Sequence, residues 1–261
     1  MLNRKLRLNF DRCLVLMNRI GFIFLISLSA VAQEESSLND TVMDYDNPSG
    51  LVELHIKGDP NATYKMRRTD WSWRFNASVE KFYPNSYVSP ADAATFSNIF
   101  GSNQGSVVTL GLGGQYNTSI GSFFVDAIYG SGALSGTIGG VTTGLSVSKY
   151  GGQLGLFLDT LFENPYFSPY VAVQVINFNW KEISTNINIG GTTAITTGTV
   201  AGISIHLNRV DSAAASVAYI SDGIKNTFLD IFGVQYNTSN SSHDPNLQTA
   251  WNLGAGFHLE F

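Results

Sequence analysis

The sequence predicts an all-β protein, a transmembrane antiparallel up-and-down β-barrel of eight strands. Three observations support this fold class. Apolar and polar residues alternate along several segments of strand length, short and long connections follow one another between these segments, and only 13% of the 261 residues are charged. With 26 glycines and 12% aromatic residues, the composition excludes both a disordered chain and a helical bundle.

Residues 1–32 predict a cleaved export signal. A basic region precedes the apolar stretch Ile20 to Leu28, and Ala30-Val31-Ala32 forms a small-residue cleavage site. Met17 is an alternative start of the chain. The apolar run of about 13 residues is too short for a membrane-spanning helix, which needs about 20.

Removal of this signal changes the charge and the cysteine content. The mature chain keeps 10 of the 15 basic residues and 19 of the 20 acidic residues, a formal charge of −9. It contains no cysteine, because Cys13 leaves with the signal. An acidic chain of this kind excludes nucleic acid as a partner.

Residues 71–261 carry the predicted barrel. In its first strand, the odd positions from Trp71 to Val79 are apolar and the even positions are polar, which is the period of a strand with two different faces. The predicted strands are 71–83, 106–117, 121–130, 147–158, 168–180, 197–208, 212–220 and 249–261. The alternation changes phase after Val175, which is compatible with a β-bulge.

The connections between these strands sort by length. The long connections are 84–105, 131–146, 181–196 and 221–248, and the short ones are 118–120, 159–167 and 209–211. Membrane barrels have short periplasmic turns and long external loops. We therefore expect residue 71 to enter the barrel from the periplasm, with four long polar loops on the outside.

Aromatic residues concentrate at the predicted strand ends, as in the interface belts of membrane barrels. The predicted periplasmic belt contains Trp71, Trp73, Tyr116, Tyr170 and Phe261. The predicted external belt contains Tyr83, Tyr129, Tyr150, Tyr219 and Trp251.

The polar positions of the strands predict a charged barrel interior. The expected luminal charge network consists of Arg74, Glu80, Asp126, Lys149, His258 and Glu260. An unpaired buried ion costs several kcal/mol, so we expect Arg74 and Lys149 to have carboxylate partners. An interior filled by paired side chains and a narrow polar conduit are both consistent with this pattern.

The sequence offers no convincing catalytic or metal-binding set. Ser204 and His206 share one strand face, but residues two apart along a strand are separated by about 6–7 Å, too far for a direct hydrogen bond. Asp222, Asp230, His243 and Asp244 fall in the last predicted external loop, where an acid–histidine protease site would need them. The four histidines lack zinc-ligand spacing, and we predict no metal and no cofactor.

The barrel region resembles the small bacterial outer-membrane barrels, the eight-stranded class related to the OmpA transmembrane domain and to OmpW. Its most specific feature is the last strand, which ends on Phe261 with apolar residues at alternate positions before it. These residues are Trp251, Leu253, Ala255, Phe257 and Leu259. The resemblance implies an integral outer-membrane protein of a Gram-negative bacterium, in contact with lipids and lipopolysaccharide. It also implies that the last strand is read by the outer-membrane assembly machinery.

Residues 33–70 form a predicted periplasmic extension, with a plug of the lumen or an additional strand as alternatives. The basic cluster Lys65, Arg67 and Arg68 follows a stretch with the acidic residues Glu34, Glu35, Asp40, Asp44, Asp46 and Glu53. A further strand at 227–236 would favour ten strands instead of eight.

Three functions are compatible with these features. The favoured one is a non-enzymatic barrel whose long external loops contact an extracellular ligand or support envelope integrity. The alternatives are a small pore for ions or small solutes, and a barrel-type lipid hydrolase or protease that uses Ser204 and His206.

Overall fold

The computed structural model describes residues 64, 68–91, 93–138, 140–162, 164–184 and 188–261. The predicted export signal and most of the segment 33–70 lie outside the described residues. The strands are β1 Trp71–Phe82, β2 Gly105–Asn117, β3 Ser122–Ile138, β4 Val141–Phe157, β5 Phe167–Ile183, β6 Asn188–Thr192, β7 Thr196–His206, β8 Asn226–Tyr236 and β9 Asn252–Glu260. The helices are α1 Phe96–Phe100, α2 Ser212–Asp222 and the 3-10 turn Leu207–Arg209.

Eight of these strands form a closed antiparallel barrel, as the sequence predicts. Each strand pairs with its neighbour in the chain, and β1 closes the barrel against β9, with Arg74 opposite Glu260. The short β6 pairs only with the end of β5 and stands outside the barrel. Closure pairs the backbone groups of every barrel strand on both sides, which is the condition for a sheet in lipid.

The two ends of the barrel differ in their connections. The terminal end contains the start of β1 and the end of β9, and its connections are 118–121, 158–166 and 207–225. The loop end carries the connections 83–104, 139–140, 184–195 and 237–251.

The alternation of each strand separates the interior from the outer surface. In β5, for example, Ser168 and Gln174 are buried inside, while Val171, Val173 and Val175 are exposed outside. The large apolar residues exposed on the outside of the strands include Val79, Val108, Leu110, Leu112, Val125, Leu154, Ile203, Ile231, Leu253 and Phe257. The outer surface is therefore apolar, and buried polar and charged side chains face inward.

The prediction of the seventh strand was wrong. Residues 212–220 belong to helix α2, and the seventh barrel strand is β8, which covers 226–236. The Asp211 side chain accepts a hydrogen bond from the Ala214 amide at the helix start, and Gly223 ends the helix with φ 70°. These are ordinary capping signals. The 227–236 segment replaces a predicted strand and does not raise the number to ten.

The prediction of a long external loop at 131–146 was also wrong, because β3 and β4 extend through most of this segment as a hairpin. Leu134, Leu145 and Val147 are buried in the apolar cluster that includes Phe96 and Phe100 of the first loop. Burial of these apolar side chains stabilises the extended β3–β4 hairpin, although the segment 131–146 is rich in glycine, serine and threonine. The ladders of β5 with β4 and β7 run without interruption, so the phase change after Val175 reflects an apolar inner face and not a bulge.

The predicted alternation of short and long connections holds only in part. The turn at 139–140 is short although it lies at the loop end, and the connection 207–225 is long although it lies at the terminal end. In the part of the chain that the structure describes, the helices are too short or too polar to cross a membrane.

Candidate functional site

A buried ion pair crosses the barrel interior near its loop end. Lys149 of β4 places its Nζ 2.9 Å from Glu80 Oε1 of β1. The same ammonium donates a hydrogen bond of 2.7 Å to the Tyr236 hydroxyl, which in turn donates to Glu80. The three side chains are almost fully buried, so each charge is compensated inside the barrel.

A second cation lies nearer the middle of the barrel. The Arg74 guanidinium is 3.5 Å from Asp126 Oδ2, and its centre lies 4.1 Å from the Phe124 ring and 5.0 Å from the Phe157 ring. Asn76 donates a hydrogen bond of 3.1 Å to the same carboxylate. Arg74 is thus held by one acid and two aromatic faces.

A third group of polar residues joins β7, β8 and β9. His258 Nδ1 lies 2.7 Å from Asp230 Oδ2, and Ser204 donates to the other oxygen of Asp230. The His258 ring stacks on Phe228 with a centroid distance of 4.1 Å. Asp230 was assigned to an external loop because β8 was not recognised, and the structure instead places it inside the barrel.

The proposed hydrolase pair is not assembled. Ser204 bonds to Asp230, whereas His206 Nε2 lies 2.7 Å from the Ser168 hydroxyl. Ser204, His206 and Ser168 are at most 2% exposed. A serine nucleophile of this type needs a neighbouring histidine base and access to substrate. Ser204 bonds to a carboxylate instead of a histidine and is fully buried.

Glu260, a candidate partner for the two buried cations, has amide partners instead. It accepts hydrogen bonds of 2.8 Å from Gln115 of β2 and from Asn226 of β8. Neither Gln115 nor Asn226 was predicted from the sequence as a partner of a luminal charge. The inward position of Gln115 follows from the β2 alternation, but Asn226 could be found only once β8 was known.

Residues before β1 close the terminal end of the interior. The Tyr64 hydroxyl donates a hydrogen bond of 2.7 Å to Asp159, and its ring packs edge-on to His206 at 4.7 Å. Arg68 donates to Ser122 at 2.6 Å and lies 3.5 Å from Asp159. Burial, followed by the negative charges of Glu260 and Asp159, raises the pKa of Tyr64 well above its ordinary value, so the phenol remains a hydrogen-bond donor.

The first loop closes the other end. Tyr87 and Phe96 of this loop pack in one apolar cluster with Phe82, Phe178 and Tyr236 of the strands. Glu182 of β5 fixes the loop, because its carboxylate accepts hydrogen bonds from the hydroxyls of Tyr87 and Ser89.

The space left between these two closures is small. A cavity of about 40 Å³ is lined by residues that include Arg74, Thr109, Lys149 and Gln174. A single buried water needs roughly 10–15 Å³ of such space. The cavity therefore accommodates only a few water molecules, as expected for an eight-stranded barrel filled by side chains.

A larger groove of about 530 Å³ lies at the loop end, between α1 and the β3–β4 hairpin. Its polar side chains are hydroxyls and amides, and its lining contains no charged residue. These side chains are Ser97, Asn98, Asn103, Ser135, Thr137 and Thr142. The helix approaches the hairpin closely at Gly136, where an added Cβ would lie 2.0 Å from the Ile99 carbonyl oxygen.

Two residues of the predicted aromatic belts do not lie at the predicted positions, and a third contacts the first loop. Tyr170 points into the barrel and is only 7% exposed, and Tyr219 lies on α2 at the terminal end and not at an external strand end. Tyr83 packs edge-on against Phe96 of the first loop. The residues that are exposed on the outside are Trp71, Trp73, Tyr116, Tyr129, Tyr150, Trp251 and Phe261.

Comparison with known proteins bears on the fold. No protein-family model and no curated protein sequence matches the chain. The chain is similar to the crystal structure of Neisserial surface protein A, with 14% identity, a TM-score of 0.46, and coverage of 74% of this chain and 98% of that one. It is also similar to the N-terminal β-barrel domain of OprF from Pseudomonas aeruginosa, with 12% identity, a TM-score of 0.34, and coverage of 72% and 97%.

The chain is a closed, antiparallel eight-stranded β-barrel. Its ladder of paired strands confirms the fold class predicted from the sequence.

Proposed function

We propose that the protein is a non-enzymatic barrel of the bacterial outer membrane whose loop end faces the outside and makes surface contacts or supports the envelope. The observation that carries this proposal is the closed interior. Arg74 and Lys149 are paired with Asp126 and Glu80 inside the lumen, Tyr64 and Arg68 fill the terminal end, and the first loop covers the loop end.

The outer surface supports a position in a bilayer. Residues such as Leu112 of β2, Val125 of β3 and Leu253 of β9 are more than half exposed on the outside of the barrel. In water, a continuous apolar band of this kind would be an aggregation hazard. In hydrocarbon it is the stable arrangement, because the closed ladder satisfies the backbone. Membrane lipids and lipopolysaccharide are therefore the partners proposed for this band.

The pore and the hydrolase receive less support. A cavity of about 40 Å³ is far too small for a solute path, and Ser204 and His206 are buried and bonded to different partners. The loop end remains as the proposed contact surface, because recognition is commonly carried by loops on a rigid scaffold. The neutral lining of the groove beside α1 favours an uncharged, hydroxyl-bearing ligand over an ion.

The last strand supports a further part of the proposal. Trp251, Leu253, Phe257, Leu259 and Phe261 occupy the outward positions at and beside β9. Outward residues are available to another protein before the barrel closes. We propose that they form the signal for the outer-membrane assembly machinery, after export directed by residues 1–32.

The first experiment is conductance of the refolded mature chain in a planar bilayer. A shift of gel mobility on heating would show that the barrel is folded, and fluorescence quenching by lipid would show that it is inserted. We expect a folded, inserted and silent protein. Reproducible current steps would overturn the closed-lumen proposal and favour the pore.

The second experiment tests the loop end in cells. Variants that shorten 84–104 or 237–251 are expected to change envelope resistance to detergent while the barrel still assembles. A terminal connection shortened within 160–163, which keeps the Asp159 contacts of Tyr64 and Arg68, serves as the control. If the loop variants leave every envelope phenotype unchanged, the proposed surface role is wrong.

A further inference from the structure

Helix α2 at the terminal end has the polarity of a lipid-facing element. Only Ala215 of this helix is buried. Val217 and Ile220 are 40% and 51% exposed, and Val210 just before the helix is 73% exposed. A helix on a protein surface in water normally buries its apolar stripe and exposes its polar residues. Here the larger apolar side chains face away from the barrel.

The position of each residue around the helix defines this face. At 3.6 residues per turn, Val217 lies roughly 160° from Ala215, on the side opposite the barrel. Ala213, Ala214 and Ile220 fall within about 60° of Val217. Ser212 and Asp222 lie roughly 140° away from Val217 and are also exposed. Ser221 also lies about 40° from Val217, but its hydroxyl donates a hydrogen bond of 2.9 Å to the Val217 carbonyl oxygen. The outward stripe is therefore apolar apart from this serine, whose hydroxyl is bonded within the helix.

The strands that precede and follow α2 in the chain have apolar outer surfaces. The connection 207–225 joins β7 to β8, where Ile203 and Ile231 are paired across the ladder and half-exposed on the outside. Two cations stand at the bases of this connection. Arg209 lies over the Tyr166 ring at 4.2 Å, and Lys225 donates a hydrogen bond of 2.9 Å to Thr69.

The other two connections at this end have the same character. Ile120 in the first is 70% exposed, and Leu161 and Phe162 in the second are 61% and 59% exposed. Three separate connections thus present apolar side chains beyond the strands. The exposure of apolar side chains is therefore shared by all three connections of the terminal end and is not a feature of one helix.

We propose that α2 lies in the headgroup region of the membrane leaflet at the terminal end, with Val217 and Ile220 directed toward the acyl chains. This proposal rests on the proposed membrane position of the barrel. Short amphipathic helices bury their apolar face in this region, while basic residues at the edge of the bilayer meet lipid headgroups. Arg209 and Lys225 occupy those basic positions.

The predicted absence of cysteine from the mature chain allows a direct test. Single cysteines at Val217 and Ile220 would carry an environment-sensitive NBD fluorophore, with Ser212→Cys and Asp222→Cys as controls on the other side of α2. Val173→Cys on the outside of β5 reports whether the barrel itself is in the bilayer. The labelled proteins would be refolded into phosphatidylcholine vesicles that contain doxyl-labelled phosphatidylcholine, and folding would be checked by heat-shifted mobility.

We expect blue-shifted emission and strong doxyl quenching at positions 173, 217 and 220, with loss of quenching by aqueous iodide. Positions 212 and 222 should remain open to iodide. Iodide quenching at 217 and 220, with position 173 quenched by lipid, would overturn the helix proposal alone. Iodide quenching at position 173 would overturn the membrane position. Shielding of 217 and 220 from both quenchers would mean that protein covers the helix, which also contradicts the proposal.

Discussion

Lys149 and Glu80 are 2.9 Å apart although β4 and β1 are not neighbours in the barrel wall. The pair spans the interior, and the Tyr236 hydroxyl of β8 bonds to both side chains. Three strands are thereby connected through the lumen as well as through the backbone ladder. The pair occupies the part of the lumen through which ions or solutes would pass in an open barrel.

Removal of one partner from this pair should strongly destabilise the barrel. Lys149→Met leaves the Glu80 carboxylate buried without its cation, at a cost of about 3–5 kcal/mol. The double variant Glu80→Met with Lys149→Met should recover most of this loss. The measurement is the urea midpoint of the protein refolded in vesicles.

The matched control is Lys181→Met, since Lys181 is an exposed lysine on β5. We expect it to change stability by less than about 1 kcal/mol. Equal effects of Lys149→Met and Lys181→Met would show that the luminal pair is not a compensated buried pair.

Gly113 and Gly114 offer a test of inward packing on one strand. An added Cβ at Gly113 would lie 2.0 Å from the Val125 carbonyl oxygen, whereas at Gly114 the nearest atom would be 3.9 Å away. Gly113→Ala should destabilise the barrel by about 1–3 kcal/mol or prevent refolding, because backbone must move. Gly114→Ala should refold normally. The fraction with heat-shifted mobility after refolding measures both, and similar yields would contradict the close approach at Gly113.

Gly136 provides a test of the groove at the loop end. A Cβ there would displace α1, since it meets the Ile99 carbonyl oxygen at 2.0 Å. Gly136→Ala should make the first loop more sensitive to limited chymotrypsin, with cleavage after Phe96 or Phe100, while the barrel stays folded. Gly144→Ala on the partner strand is the control, because its nearest atom would be 3.8 Å away. Unchanged cleavage of the first loop in Gly136→Ala would mean that α1 does not depend on this contact.

The contribution of Tyr64 to stability should depend on pH in the alkaline range. The pKa of Tyr64 is raised in the folded protein, mainly by burial, whereas in the unfolded chain this residue titrates near pH 10. Above about pH 10 the unfolded state therefore loses its proton first, and the contribution of Tyr64 to stability falls as pH rises. Below that pH the contribution is fully present.

The variant Tyr64→Phe separates this effect from other alkaline losses. It should be less stable than the wild type at neutral pH by about 1–3 kcal/mol, because Asp159 loses a buried donor. Its stability should then fall less steeply above pH 10 than that of the wild type. Parallel slopes in urea unfolding from pH 9 to pH 11 would argue against a buried, protonated Tyr64.

The alternation of residues was sufficient to predict seven of the eight barrel strands. It also identified the interior charges Arg74, Glu80, Asp126, Lys149, His258 and Glu260 as inward-facing positions. This prediction is local, because neighbouring side chains of a strand point to opposite faces whatever the strand pairs with. The remaining strand, β8, was considered only as an additional strand of a ten-stranded barrel. It has apolar residues on both faces, with Phe228 and Phe232 inward and Leu229 and Ile231 outward.

Which residues meet inside the barrel was decided only by the tertiary structure. Glu260 was one of three candidate carboxylate partners for Arg74 and Lys149, but it bonds to Gln115 and Asn226. Ser204 bonds to Asp230 of β8. These contacts join residues far apart in the chain, and they follow from strand order, register and closure, which local alternation does not encode. The sequence by itself therefore determined an inside, an outside and a charged lumen. The closed barrel determined the partners, sealed both ends and turned the apolar stripe of α2 outward.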